Sequence, residues 1–563
     1  MNRRSFIKDT SVIIGLGALN VITRGFAQTY DFDLIIKNGL IIDGDGGDGY
    51  RADLGLRGDL IAAIGTLREK SAYRTIDAEG LVVAPGFIDI HSHSEDTLLV
   101  NPRAESKIRQ GVTTEIVGQD GLSVAPLTAE MQSELNERYL SSNGLRVDWS
   151  DFQGYFQRLV QTGIGINVGT MVGQGTLREC VIGRDDRPAS YADYDRMKQL
   201  ARISFQQGAL GISSGLEYTP GAFASSDELI ELCQVMDSFT GLYATHMRSE
   251  DNYLLEALDE AIAVARGANV ALHIAHLKCM GERNWRKLSD VFEKIAEARR
   301  RGVSITFDRY PYTAYNSSLS SLLPVWAREG DIKKMTERLN HSEERTKIRK
   351  ETLQKIEMIG SWEAVLISSV ELEKNRRLLG KRVSEIVGDN GVDPFDFVCK
   401  LILEESNGVG ICGFAMSEEN TARILAHPLC MVASDAAARA PYGALNHSNP
   451  HPRTYGTFPR VLGKYVREDY LLSLPAAIRK MTAMPANRLG LKKRGRIAPD
   501  FFADLIIFDS AKIRDTATYT NPHSYPEGIA YVLVNGKVVV EANEHTGKLP
   551  GMILGHELFK QNY

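Results

Sequence analysis

The sequence predicts an α/β protein: a (β/α)8 TIM-type barrel, a small β-sandwich domain built from both chain ends, and an insertion between strands seven and eight. Three observations carry this expectation. Through the middle of the chain, eight short apolar segments alternate with amphipathic helical stretches. At both ends, β-like runs are split by Gly, Asn and Asp. Late in the chain, a charged and partly helical stretch interrupts the alternation. The 563 residues suffice for a barrel and a satellite.

In chain order, residues 1–27 come first. Arg3-Arg4 precede an apolar run from Ser11 to Ile22, and Gly25 and Ala27 offer a small-residue cleavage site before Gln28. The segment resembles a twin-arginine signal peptide, which implies export to the periplasm. The apolar run is too short and too rich in glycine to span a bilayer, so no stable membrane insertion is expected after cleavage. Residues 28–84 hold "DFDLIIKNGLIIDG", "ADLGLRGDLIAAIG" and "TIDAEGLVVAPG", the first part of the β domain. Residues 486–563 hold its second part, with "FADLIIFD" and "GIAYVLVNGKVVVEA". Asn535-Gly536 in the latter marks a two-residue hairpin turn. Between them, residues 85–485 carry the strands "GFIDIHSH", "GVTTEIVG", "GIGINVGTMVG", "GALGISSGL", "GLYATHMR", "VALHIAHLK", "VSITFDRYPY" and "LCMVASDA". Helical stretches such as "DNYLLEALDEAIAVARGA" separate them. The interruption covers about residues 319–417 and is expected at the barrel mouth, as a lid or as a structural elaboration.

A net charge of −5 gives no general attraction to nucleic acid, and the partner expected is a small-molecule substrate. The six cysteines, Cys180, Cys233, Cys279, Cys399, Cys412 and Cys430, form no CxxC pair, and most lie in apolar runs that read as core.

Chemistry concentrates where the strands end. "PGFIDIHSHSED" places Asp89, His91 and His93 on one face of a strand, which suits a metal ion with the acid behind as orienter. A single histidine pair serves a packed core equally well. The later strands tip the balance: strand two ends in Gln119-Asp120, strand five in His246, strand six in His276, and strand eight in Asp435. His273 lies three residues before His276, faces the other side of its strand, and reads as a packed or supporting residue. Four histidines and two aspartates on one rim, without thiolate, suit zinc, and also iron or manganese.

These blocks, with "GLEYTPG", "THMRSE", "AHLK", "YPYTA", "SDAAA" and "HPRTYGTFPRVLGKY", resemble the amidohydrolase superfamily, and within it the D-aminoacylases, or N-acyl-D-amino-acid deacylases. The resemblance spans nearly the whole chain after the leader. It implies that His246 and His276 hold the tighter zinc, that His91 and His93 with Asp435 form a second, weaker position, and that Asp435 is general base and acid. Where the better-known deacylases read Gly-Asn-Cys-Gly, with the cysteine as a metal ligand, this chain reads Gly118-Gln119-Asp120-Gly121. Asp120 thus stands as a carboxylate ligand, leaving one or two zinc ions as the expected cofactor. Glu217 reads as a turn or substrate-pocket residue, with bridging the metals the alternative. The family also implies that Arg453 binds the substrate α-carboxylate and that Tyr218 and Tyr310 contact substrate. Asn316 stands where the family often has serine.

The activity so implied is hydrolysis of N-acyl-D-amino acids. The alternative is a dipeptidase for L-Xaa-D-Xaa peptides. A cyclic-amide hydrolase fits less well, because such enzymes usually carry a carboxylated lysine after strand four, and "GISSGLEY" has no lysine. An inactive binding protein would have lost a ligand or the strand-eight acid, and apart from the substitution at Asp120 this chain keeps them.

Overall fold

The computed structural model describes residues 30–239, 241–388 and 391–555. The twin-arginine segment, residues 1–27, lies outside the described residues. The chain is α/β. Parallel strands run from Phe87–Asp89 through Val112–Val117 to Asn167–Thr170 in one sheet. From Val172–Gly173 they continue through Gly211–Gly215, Leu242–His246, Ala271–Ile274 and Ile305–Arg309 to Cys430–Val432 in another. The third expected strand is therefore split at Met171. A parallel bridge, Ser92 to Ala436, joins the ends of the first and last strands.

The helices cover these strands by the expected periodicity. Leu254–Ala268 buries Leu254, Ala257, Leu258, Ala261, Val264 and Ala265, one stripe at a spacing of three to four, and ends on Asn269 with φ of 54°. Expected strand seven, "VSITFDRYPY", stops at Arg309. Pro311 follows, lacks an N–H, and cannot continue a ladder.

The chain ends meet as expected: Val82–Pro85 pairs antiparallel with Leu505–Phe508. Leu34, Leu56 and Ile76 from the first end and Leu505, Leu533 and Val538 from the other share one apolar cluster. At the Asn535-Gly536 hairpin both residues have positive φ, 46° and 71°, which suits a two-residue turn of the primed type.

Between the seventh and eighth strands the chain builds a separate antiparallel sheet, Ala314–Ser318 beside Gly410–Phe414 beside Val365–Ser369, with its own apolar core. It starts ahead of the expected boundary near 319, so Tyr315 and Asn316 belong to its first strand. Among the described residues no helix is long and apolar enough to cross a membrane. All six cysteines are free, and all but Cys180 are buried.

Candidate metal centre

The carboxyl ends of the parallel strands bring His91, His93, Asp120, His246, His276 and Asp435 together. Asp120 is the hub. Its Oδ1 lies 3.5 Å from His91 Nε2 and 3.5 Å from His276 Nε2. Its Oδ2 lies 3.6 Å from His93 Nε2 and 3.8 Å from His246 Nδ1. Asp435 Oδ1 is 3.1 Å from His93 Nε2 and 3.6 Å from His91 Nε2. Among the described residues three metal-capable groups result: His91–His93–Asp120–Asp435 and Asp120–His246–His276, which share Asp120, and Glu217–His246–Glu250.

Backbone strain marks the same residues. Asp120, His276 and Asp435 have φ of 54°, 35° and 50°, a left-handed conformation that non-glycine residues adopt at a cost. Each is held there. The His276 amide donates to Asp308 Oδ1 at 2.9 Å, and the Asp435 amide donates to the His91 carbonyl at 2.9 Å. Beside Asp120, a side chain at Gly121 would run into the Gly215 amide, 2.6 Å away, which keeps that turn pressed on the fourth strand.

These residues fit a zinc-like ion. Among the described residues, Asp120 Oδ1 and His246 Nδ1 are buried polar atoms with no hydrogen-bond partner. The spacings around Asp120 are too long for hydrogen bonds. Two ligands each about 2.0–2.2 Å from one tetrahedral zinc lie about 3.3–3.6 Å apart, close to those spacings. Charge agrees. Burial opposes a charge on His246, but Glu250, with Asp120 and Glu217, outweighs it and lifts the imidazole to about 10. Burial likewise opposes charge on His91, yet Asp120 and then Asp435 hold it well above the usual histidine range. A cluster this rich in carboxylate attracts a cation.

Acids stand behind the outward ring nitrogens, and sequence reasoning missed two of them, Asp308 and Glu250. His91 Nδ1 faces Asp308 at 3.5 Å, and His276 Nδ1 faces Glu250 at 3.0 Å. His246 Nε2 faces Glu217 at 3.3 Å and Glu250 at 3.6 Å. Asp89, expected to orient His91, does something else: it accepts from Lys107 Nζ at 2.6 Å and Ser434 Oγ at 2.5 Å. The strand ends at Asp89, so the face-sharing that alternation implies does not extend to His91. Glu250 stands four residues after His246 in "THMRSE", and Asp308 shares a strand face with Thr306; both positions were readable as signals. His273 contacts Thr306 Oγ1 at 2.8 Å and Asp308 Oδ2 at 2.9 Å, away from the cluster, in keeping with a supporting place.

A cavity of about 480 Å³ opens over the cluster. Tyr218, Tyr310, Arg453 and Glu217 line it. Arg453, the first residue of the helix Arg453–Arg460, donates to Asp435 Oδ2 at 2.8 Å and lies over the Tyr310 ring at 4.6 Å. Its fork is thus partly committed to Asp435. Lys278 and Lys355 also line the cavity. Lys278 pairs with Glu250 at 2.6 Å, and Lys355, from the insertion helix Ser342–Ile359, pairs with Glu217 at 2.5 Å. Nothing in that helix's sequence marks Lys355.

Imidazoles and carboxylates converging at the strand ends beneath a cavity define a hydrolase of the amidohydrolase class, and the comparisons with known proteins agree. The amidohydrolase family matches residues 74–343 and 420–540. The D-aminoacylase of Alcaligenes xylosoxydans xylosoxydans is 35% identical over 529 residues, 94% of this chain and 98% of that protein. The N-acyl-D-glutamate deacylase of the same organism is 35% identical over 522 residues, 93% of this chain and 96% of that protein. The crystal structure of an N-acyl-D-glutamate deacylase from Bordetella bronchiseptica is complexed with zinc and a phosphonate that mimics the tetrahedral intermediate. It superposes with a TM-score of 0.79 at 33% identity, over 93% of this chain and 99% of that one. The chain belongs to the D-aminoacylase family of amidohydrolases.

Proposed function

We propose that this enzyme hydrolyses the amide bond of N-acyl-D-amino acids, releasing a D-amino acid and a carboxylate, at a centre that holds one or two zinc ions. The observation that carries the reading is Asp435, whose carboxylate spans from the histidine cluster to Arg453 on the cavity wall. Asp120, His246 and His276 form one metal position; His91, His93, Asp120 and Asp435 form the other. Zinc held by these residues would acidify water and polarise the scissile carbonyl. Asp435 takes the proton of the attacking water and returns it to the leaving nitrogen. Burial works against its charge, but Arg453 first, then His91 and the contact with His93, hold it well below the usual carboxylate range, so it starts ionised. Glu250, in hydrogen-bond contact with His276 Nδ1, keeps that imidazole in one orientation.

The deciding experiment is a screen of zinc-loaded enzyme against N-acetyl-D-amino acids, their L-enantiomers and L-Xaa-D-Xaa dipeptides. Turnover of the D-series is the expected result; activity confined to dipeptides would replace the reading with a dipeptidase.

Asp120 as a shared ligand has its own consequences. Asp120→Ala is expected to lower bound metal after dialysis, with the His91/His93 position emptied first. Asp120→Cys is expected to retain zinc and shift preference away from manganese, because a thiolate is softer than a carboxylate. Full metal content in Asp120→Ala, measured by elemental analysis, would show that the carboxylate is no ligand.

Arg453→Lys is expected to raise KM about 10-fold for substrates with a free α-carboxylate, since lysine keeps the charge but loses the bidentate fork. KM for the corresponding α-amides stays near wild type. Equal KM changes on both would remove Arg453 from carboxylate recognition.

The reading extends to architecture and location. The Ser92–Ala436 bridge supports a closed (β/α)8 barrel, and the apolar cluster shared by the chain ends supports a β-sandwich. Arg3-Arg4 and the short apolar run support twin-arginine export to the periplasm. Cell fractionation tests this: wild type in the periplasm, Arg3→Lys/Arg4→Lys retained in the cytoplasm. Equal distributions would count against it.

A further inference from the structure

The insertion gives the cavity a polar wall, and one residue of that wall is a phenol whose hydroxyl has no partner among the described residues. Tyr315, in the strand Ala314–Ser318, is 8% exposed and lines the cavity. Among the described residues no group hydrogen-bonds its hydroxyl, and the same holds for the hydroxyl of Tyr310 across the cavity. A buried hydroxyl left unpaired is unfavourable, and the loss is recovered when a ligand supplies the acceptor.

The position is built for this ring. Tyr315 stands opposite Gly413 in the antiparallel ladder. A Cβ at Gly413 would overlap the Tyr315 ring. Gly413 is not among the glycines with positive φ, so its backbone does not require glycine; the phenol above it does.

The surroundings specify the ligand chemistry. Lys355 Nζ lies 2.5 Å from Glu217 Oε1 and 3.8 Å from Asp251 Oδ2, two carboxylates against one ammonium. That ammonium is already committed to two carboxylates and offers little to an acidic group of a ligand. Ser317, Ser321 and Ser368 add hydroxyls to the wall, and among the described residues Leu122 and Met280 are the only large aliphatic side chains lining the cavity.

Resting on the deacylase reading, we propose that Tyr315 determines specificity by donating its O–H to a neutral hydrogen-bonding group of the substrate, a carboxamide or a hydroxyl. The preferred substrates carry such a group in place of an aliphatic or acidic one. Either branch of an N-acyl-D-amino acid supplies the same chemistry: its side chain, or its acyl group.

The test compares wild type and Tyr315→Phe, both zinc-loaded, on two sets of substrates. N-acetyl-D-glutamine, -D-leucine and -D-glutamate probe the side-chain branch. N-glycolyl-D-leucine and N-propionyl-D-leucine, alike in size, probe the acyl branch. The wild type is expected to favour the neutral polar member of one set. Tyr315→Phe is expected to lower kcat/KM for that member about 10-fold or more, with less than about two-fold change for its apolar partner. The set that responds identifies the branch. Metal content and Tm are expected not to fall, because phenylalanine keeps the ring over Gly413 and removes only the unpaired hydroxyl. Equal losses on polar and apolar members, or no loss on any, overturn the inference while the deacylase reading stands. A wild-type enzyme inert towards all N-acyl-D-amino acids overturns that reading and this one together, and is seen before any variant is made.

Discussion

Replacing Asp435 by asparagine is expected to lower kcat by about 10²–10⁴-fold while most of the bound metal remains. The carboxamide is the same size and still offers an oxygen to the histidine cluster, so the geometry at His93, 3.1 Å away, has little reason to change. It cannot accept a proton from water and return it to the leaving nitrogen. It also leaves the Arg453 guanidinium, buried in the same wall, facing a neutral partner where it had a carboxylate at 2.8 Å. Elemental analysis beside single-turnover kinetics separates the two roles. Near-normal turnover with normal metal content would take Asp435 out of proton transfer.

Lys107→Met is expected to destabilise the fold by about 3–5 kcal/mol, the usual effect of stranding a buried charge. Lys107 is fully buried and donates to Asp89 Oδ2 and to Ser434 Oγ, both at 2.6 Å. Glu115 lies 3.6 Å from the same ammonium. Burial raises the Glu115 carboxyl, and Lys107 is the strongest influence pulling it back. Without the ammonium, two carboxylates share a dry site between the first and second strands. Because Ser434 precedes Asp435 and accepts from Lys107, activity is expected to fall with stability. Urea unfolding measures the loss, and the double variant Lys107→Met/Asp89→Asn should recover most of it. An unchanged unfolding midpoint in the single variant would show that the network adds no stability.

Sequence alone carried the site as far as its residue types allowed. His91, His93, Asp120, His246, His276 and Asp435 were legible because each closes an apolar segment of strand length, and parallel strands gather their carboxyl ends. Tyr218, Tyr310 and Arg453 came only from resemblance to a family; nothing in their local pattern points to the cavity they line. Glu250 and Lys278 follow strand ends but carry only a weak local signal, since a single charged residue there is more often solvated.

Other features exist only in three dimensions. The helix Glu105–Ile108 is polar by composition, yet all four of its residues are buried. Its lysine answers acids 18 residues before it and 8 residues after it in sequence. Lys355 reaches Glu217 from 138 residues away. Local sequence determines periodicity, and periodicity determined the alternating strands and helices, the paired chain ends and the cluster at the strand ends. It carries no information on which distant charge fills a buried site, because that choice is made by electrostatic pairing after the chain has closed. Only the tertiary structure decided that Asp89 answers Lys107 instead of His91, that Glu250 holds His276, and that Tyr315 lines the cavity with an unpaired hydroxyl.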